Sequence, residues 1–345
     1  MRTLGRMTSV PIKIIKTISI INENKGMQEL YKRQSPEVLQ TLQSIATIQS
    51  AESSNRIEGI EVTNKQLLEI MQHQSLPRDD RGEAEISGYR DVLATIHASA
   101  AHIPIRPQTI LQFHRDMYKY LPQPGGRWKA TDNVIEEKFP DGVKRVRFEP
   151  VKPFLVPEAM DQLCNNFNRF RDNQEYDDLL LINAFILDFL CIHPFADGNG
   201  RMARLLTLLL LYQAGFEVGR FISIERIIEQ SKETYYDVLF KSSQGWHHEE
   251  HDPIPWMDYS LGVILAAYKE LKERINLTEN QRGTKSALVK DAIEHFVGEF
   301  TLQDIKKACP TVSRSTIYRV LEELRNKGKV DCVVSGRHAR WLKNE

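Results

Sequence analysis

Two apolar stretches, Leu179 to Ile192 and Leu205 to Tyr212, limit what this 345-residue chain can become. Neither contains a Gly or a Pro, and their length and lack of turn residues predict two helices buried in a core. Between them lies His193-Pro194-Phe195-Ala196-Asp197-Gly198-Asn199-Gly200-Arg201, continued by Met202-Ala203-Arg204. Gly198, Asn199 and Gly200 leave the backbone open just before the second helix, where first-turn N–H groups and the helix dipole favour an anion. Arg201 and Arg204 are three apart, so they project from one face of the opening turn toward that anion. Two guanidiniums beside an amide nest suit a polyphosphate. Asp197 offers a hard oxygen ligand to the Mg²⁺ that accompanies such a group, and His193 offers a base whose ordinary pKa lies near neutrality.

This run resembles the signature of the Fic family, His-Pro-Phe-x-Asp/Glu-Gly-Asn-Gly-Arg-x-x-Arg, at every defined position. The resemblance implies a mainly α fold: a Fic-type helical core with a β-hairpin flap. It implies transfer of AMP from ATP to a Tyr, Thr or Ser hydroxyl of a protein, the chain itself included. His193 would then deprotonate the hydroxyl, Asp197 would hold the metal, and Gly198, Asn199 and Gly200 would form the anion hole. Arg201 and Arg204 would bind the outer phosphates. The chemistry is consistent, because in-line attack on phosphorus needs a base on one side and charge neutralisation on the leaving group.

Upstream, Ser53-Ser54-Asn55-Arg56-Ile57-Glu58-Gly59-Ile60 reads as a helix end, with Gly59 in the left-handed cap position and Ser54 one turn before Glu58. The same residues resemble the family's inhibitory motif, Ser/Thr-x-x-x-Glu-Gly/Asn, at Ser54, Glu58 and Gly59, as in the subclass with an N-terminal inhibitory helix. The likeness implies that Glu58 enters the nucleotide pocket and pairs with Arg204. A carboxylate there competes with a phosphate for the same donors. Run backwards, with Glu58 positioning water, the same pocket would remove AMP from a modified protein. The family also places an aromatic or amide-bearing segment around the adenine, which implies Tyr235 or Tyr236; their helical spacing equally fits a core.

The composition, 41% hydrophobic and 27% charged with zero net charge, describes a soluble globular chain with no global attraction to nucleic acid or membrane. Cys164, Cys191, Cys309 and Cys332 are scattered, which argues against a disulfide framework or a zinc site and fits a reducing cytoplasm. Lys13 and Lys16 interrupt any apolar signal-peptide core, and no run reaches the roughly 20 apolar residues that a bilayer requires.

Pro11 to Ile21 alternates weakly and reads as a short strand or an extended arm. Helices are expected from Ser35, over Thr63 to Gln72, over Glu83 to Ala101 and from Pro107 to about Leu121, with a charged loop from Leu76 to Gly82. This divides the chain into an N-terminal helical region, 1–100, and a catalytic core, 101–275. His114, on an apolar face, reads as a core histidine. Val134-Ile135 and Val143 to Phe148 flank the turn Pro140-Asp141-Gly142 and predict a hairpin. In the Fic family a hairpin here is the flap that aligns a target segment by edge pairing.

Further helices are expected over Leu205 to Ala214, Ile222 to Glu229, Ser231 to Gln244 and Trp256 to Ile275. His247, His248 and His251 read as a solvated loop rather than a metal site, since Pro253 and Pro255 follow closely. Residues 276–284 are polar and read as a linker. Three helices and two strands around Ser335-Gly336-Arg337 then resemble a winged-helix domain, 285–345. From Gly283 onward twelve Lys/Arg face eight Asp/Glu, about +4. Arg314, Ser315, Thr316, Tyr318 and Arg319 near the start of the third helix, with Arg337 on the wing, suit phosphate and base contacts. DNA or a protein is open as the partner of this lobe, and a homodimer is open for the whole chain.

Overall fold

A computed structural model of the chain describes all residues except 72–79, 139–143, 280–283, 297, 310–311, 335, 337–338 and 345. Most of the loop from Leu76 to Gly82, the turn Pro140-Asp141-Gly142, and Arg337 therefore lie outside the described residues. The N-terminal part is helical from the start: α1 (Arg2–Arg6), α2 (Ile12–Gln34), α3 (Pro36–Ile57), α4 (Asn64–Met71), α5 (Arg81–Ser99) and α6 (Pro107–Met117). The strand or arm expected at Pro11 to Ile21 is instead the first half of α2. Ile14, Ile18 and Ile21 are buried at helical spacing, and the exposed isoleucines between them produced the look of alternation.

A hairpin follows, β1 (Ile135–Lys138) antiparallel to β2 (Lys144–Phe148), with Ile135 opposite Phe148. Next come α7 (Val156–Asp172), α8 (Asp178–Ile192), α9 (Asn199–Gln213), α10 (Ile224–Gln230), α11 (Lys232–Ser243) and α12 (Ile254–Glu279). The sequence reading passed over α7, although Val156, Met160, Leu163, Cys164 and Phe167 form one buried stripe. The centre of the molecule is α8 and α9, buried on almost every side, with α7, α5 and α12 around them.

Close packing at this centre depends on one glycine. A Cβ at Gly88 of α5 would collide with the carbonyl group of Met117, so only glycine lets α6 lie against α5. The same approach sets Tyr118, next to Met117, against the loop between α8 and α9.

The last elements are α13 (Thr284–His295), β3 (Glu299–Thr301), α14 (Leu302–Ala308), α15 (Arg314–Asn326), β4 (Val330–Val334) and β5 (Arg340–Lys343), with sheet order β3-β5-β4. β3 was not anticipated, being too short to give a periodic signal. α12 continues to Glu279, into the stretch read as a linker, because no helix breaker occurs before Gly283. The lobe docks on the helical body: Arg274 of α12 donates to both oxygens of Asp291 at 3.1 and 2.9 Å, and α13 and α14 lie on α3.

Replacing Gly88 with Ala tests the packing by its sign. Helix propensity alone would favour Ala by about 1 kcal/mol. The collision with Met117 predicts instead a net loss of about 1–3 kcal/mol, read as a lower urea midpoint at unchanged m.

Candidate functional site

His193 is the C-cap of α8 and adopts a left-handed conformation, φ 51° and ψ 61°. For a residue with a β-carbon preceding proline this is a strained choice, maintained only where the surroundings fix it. They do so through the His193 N–H, which donates to Phe189 O at 2.9 Å, and through Pro194 O, which accepts from the Lys129 N–H at 2.9 Å. The imidazole Nδ1 faces Leu190 O at 3.3 Å. A carbonyl can only accept, so Nδ1 carries the proton and Nε2 keeps its lone pair. Burial, with the Lys129 charge also opposing protonation, lowers the imidazole pKa to about 4.

The loop after His193 is closed by its own side chains. Asn199 accepts from the Phe195 N–H at 2.9 Å and donates to Phe195 O at 2.8 Å, so its amide is used inside the loop. His114 is stacked 3.7 Å from Phe195 and 4.5 Å from Tyr118. Its Nδ1 accepts from the Gly126 N–H at 2.9 Å, which puts the proton on Nε2, donating to Asp197 O at 3.1 Å. Read from sequence as a core residue, His114 thus also fixes the loop. Lys129 is buried and donates to Asn133 at 2.7 Å, while Asn133 donates to Phe195 O at 3.2 Å, tying the base of the hairpin to the same loop.

The start of α9 has no side-chain cap, and Gly200 of its first turn lines a cleft. Both arginines of the opening turn point at the last turn of α3, with different partners. Arg201, 1% exposed, donates to Glu85 at 2.5 Å and to Tyr118 at 3.3 Å. Arg204 donates to Ser54 Oγ and O, each at 2.8 Å, and to Glu58 at 2.7 Å. Its remaining nitrogen, Nη1, is buried and meets no acceptor. Glu58 follows α3 directly, with Gly59 behind it at φ +80°. A Cβ on Gly200 would strike Glu58 Oε1, so the carboxylate rests directly on the opening turn of α9.

Glu58, His193 and Gly200 line one cleft of about 780 Å³, with Tyr235 and Tyr236 of α11 in its wall. Tyr235 is fully enclosed beside Arg204, and its hydroxyl is pushed up to about 12 by burial. Arg147 of β2 donates to Tyr236 O at 3.3 Å, and Gln244 donates to Arg147 O at 3.1 Å, joining hairpin to α11 across the cleft mouth. Asp197 stands at the rim with its side chain 59% exposed, accepting from the Gly198 N–H at 2.7 Å. No group of three or more His, Cys, Asp or Glu placed to hold a metal occurs among the described residues. His247 Nε2 donates to Glu149 O at 2.7 Å while His251 meets Thr3, so these two histidines do not converge.

Sequence reasoning did not find Glu85, Lys129, Asn133 or Arg147. The available signal was chemical: Glu85 and Lys129 are charged residues at positions the structure buries.

A mainly helical domain whose two central helices are joined by a glycine-bearing loop beside a cleft is the class that fold and site define. Residues 104–211 match the Fic/DOC family, and the chain carries a domain of that family. A Nematostella vectensis protein named protein adenylyltransferase Fic is 28% identical over 142 residues, covering 39% of this chain and 28% of that protein. The Drosophila melanogaster protein of the same name is 26% identical over 218 residues, covering 59% and 39%. The chain thus spans well under half the length of these two relatives. Among solved structures, a Fic family protein from Desulfovibrio desulfuricans aligns over 97% of both chains with TM-score 0.61 and 21% identity. Caenorhabditis elegans Fic-1 aligns over 77% of this chain and 72% of that one, with TM-score 0.57 and 19% identity.

The carboxylate of Glu85 serves two arginines that differ in burial, which gives a test. Glu85→Ala strands the Arg201 charge and should cost about 3–5 kcal/mol. Arg81→Ala removes a partner whose side chain is 75% exposed and should cost less than about 1 kcal/mol. Urea unfolding of the two variants reads the difference.

Proposed function

We propose that this chain transfers AMP from ATP to a Tyr, Thr or Ser hydroxyl of a protein, and that Glu58 holds the activity in check. The observation that carries the reading is the guanidinium of Arg204. It is buried at the opening turn of α9, two of its nitrogens are taken by Ser54 and Glu58, and the third lacks an acceptor. A buried cationic donor in that position suits a phosphate oxygen. Glu58 already occupies the seat, so a terminal phosphate and this carboxylate compete for one guanidinium.

Within this reading the cleft supplies the rest. The hydroxyl of the target delivers its proton to Nε2 of His193 as its oxygen attacks the α-phosphorus, and the bond from that phosphorus to the pyrophosphate oxygen breaks. The hydrogen bond from Nδ1 to Leu190 O supports this role, since it keeps Nε2 unprotonated. The opening turn of α9, around Gly198, Asn199 and Gly200, faces the charge on the phosphates. Tyr235 and Tyr236 lie where a base would rest against the wall. The hairpin, tied to the loop through Lys129 and Asn133, presents a strand edge to the target segment.

Asp197 would give Mg²⁺ one carboxylate: its Oδ1 accepts from the Gly198 N–H and its Oδ2 lies 3.5 Å from the exposed Arg81, so the ion would compete with Arg81 and take its remaining ligands from phosphate and water. Such an ion would neutralise charge on the leaving pyrophosphate. Arg201, held through its two terminal nitrogens by Glu85 and Tyr118 and with its Nε buried without a hydrogen-bond partner, would act mainly through its positive charge close to Asp197. We also read the C-terminal lobe as a winged helix; its order of helix, strand, helix, helix, strand, strand supports this.

Labelling of protein with ATP carrying a radioactive α-phosphate tests the reading. Glu58→Gly removes a charged hydrogen bond worth about 1.5–3 kcal/mol and should raise labelling at least about tenfold. Adding His193→Ala should abolish it. No label in the Glu58→Gly protein, or equal label with and without His193, would defeat the proposal. The pH dependence follows from the imidazole. With its pKa lowered to about 4, His193 is already neutral well below the ordinary 6.5, so the acid limb of kcat/KM for the Glu58→Gly protein should fall below pH 6.

A further inference from the structure

The helix α2 is apolar on two opposite sides. One side, with Ile14, Ile18, Ile21 and Tyr31, is buried, and α2 packs along α12. The other side turns five large apolar residues to solvent: Ile12 at 71% exposure, Ile15 at 52%, Ile20 at 44%, Met27 at 37% and Leu30 at 40%. At 100° per residue these five fall within an arc of about 140° along a helix about 34 Å long, a face they share with the exposed Lys16, Ser19, Glu23, Gly26 and Arg33. A stripe of that extent on a folded surface marks a contact face.

Three features identify what covers it. Gly26 lies in the stripe, and a Cβ there would meet nothing within 4 Å, so its own chain does not require a glycine that costs a helix interior about 1 kcal/mol. A helix crossing closely at that point does require it. Lys16 and Glu23 also lie in the stripe, both exposed, and among the described residues neither has an ion-pair partner in its own chain. The stripe, moreover, is self-complementary when reversed. A twofold axis at the level of Ile21 brings Ile12 level with Leu30 of the second copy and seats Ile15 over Gly26 of the second copy. Residues on the same flank meet in such an antiparallel pair. Ile20 therefore approaches its own counterpart near the axis, and Lys16 lies within one turn of Glu23 of the second copy. Along the axis Glu23 is about 4.5 Å from Lys16 of the second copy and about 6 Å from its Glu23, whereas a parallel pair would set Lys16 level with Lys16 and Glu23 level with Glu23.

We propose that α2 is a homodimerisation helix, pairing antiparallel with α2 of a second copy of this chain through Ile12, Ile15, Ile20, Met27 and Leu30. The interface is isologous, as a twofold axis requires. A lipid surface is the weaker match, because Glu23 sits in the middle of the stripe and an anionic headgroup would repel it. A single helix pair is small beside the roughly 1,200 Å² at which stable interfaces begin, so the dimer should be reversible and micromolar.

Sedimentation equilibrium of the full chain in the micromolar range should show a mass rising with concentration toward about 80 kDa, twice the 39.9 kDa of one chain. Ile15→Asp should leave a monomer throughout that range, with the thermal midpoint that the wild type shows when diluted to monomer, since the residue is exposed. Lys16→Glu should weaken association about tenfold, and Lys16→Glu combined with Glu23→Lys should restore it. A monomer at every concentration overturns the proposal, as does a dimer indifferent to Ile15→Asp or a double reversal that fails to restore association. Binding of the wild-type chain to phosphatidylcholine–phosphatidylserine vesicles, lost in Ile15→Asp, would assign the stripe to lipid and overturn it equally.

Discussion

The geometry of the cleft follows from one buried guanidinium. Arg204 lies inside the protein at the positive end of α9, where its charge is costly unless hydrogen-bonded partners surround it. Ser54 and Glu58 provide them, and both come from the last turn of α3 or the residue after it. The chain must therefore turn sharply behind Glu58, which Gly59 permits at φ +80°. The helix beneath must offer no side chain where the carboxylate rests, and Gly200 meets that need. What holds the folded state together here is also what a phosphate would have to displace.

A second layer keeps His193 in an unusual conformation. His193 has a left-handed backbone at the end of the most apolar helix of the core, and α8 cannot move to relieve it because its neighbours are close-packed. The loop that follows is fixed from several sides at once: by Asn199 from α9, by His114 from α6, and by Lys129 and Asn133 from the segment leading into the hairpin. These hydrogen bonds hold the backbone of the loop, and of its residues His193 and Gly200 line the cleft. Glu85, from α5, neutralises Arg201 beneath the loop. The site is thus built from rigid elements brought together from distant parts of the chain.

The helix that carries Glu58 is itself held by several elements. α10 lies along α3, α13 and α14 of the C-terminal lobe lie on it, and Gly298 packs against Asn64 just beyond Glu58. Arg56, the penultimate residue of α3, reaches Glu229 of α10 at 3.1 Å. The position of the carboxylate therefore depends on contacts made well outside the cleft, by segments before and after the matched family region of 104–211.

Local sequence determined most of the elements and the centre of the site. Runs such as Leu179 to Ile192 have one stable solution in water, a buried helix, and the twelve-residue motif after it fixes a loop geometry through residues that are neighbours in the chain. Pairing of Glu58 with Arg204 was legible only through a likeness to a known pattern. The N-terminal half of α2 was misread because its second apolar face blurred the helical period, and α7 and β3 went unnoticed. Only the tertiary structure decided which charges would be buried together. Glu85 and Arg201 are 116 residues apart and Ser54 and Arg204 are 150 apart, and no periodicity links positions at such separations. Such pairs are chosen by packing, since a helix position becomes an interior one only when another element closes over it.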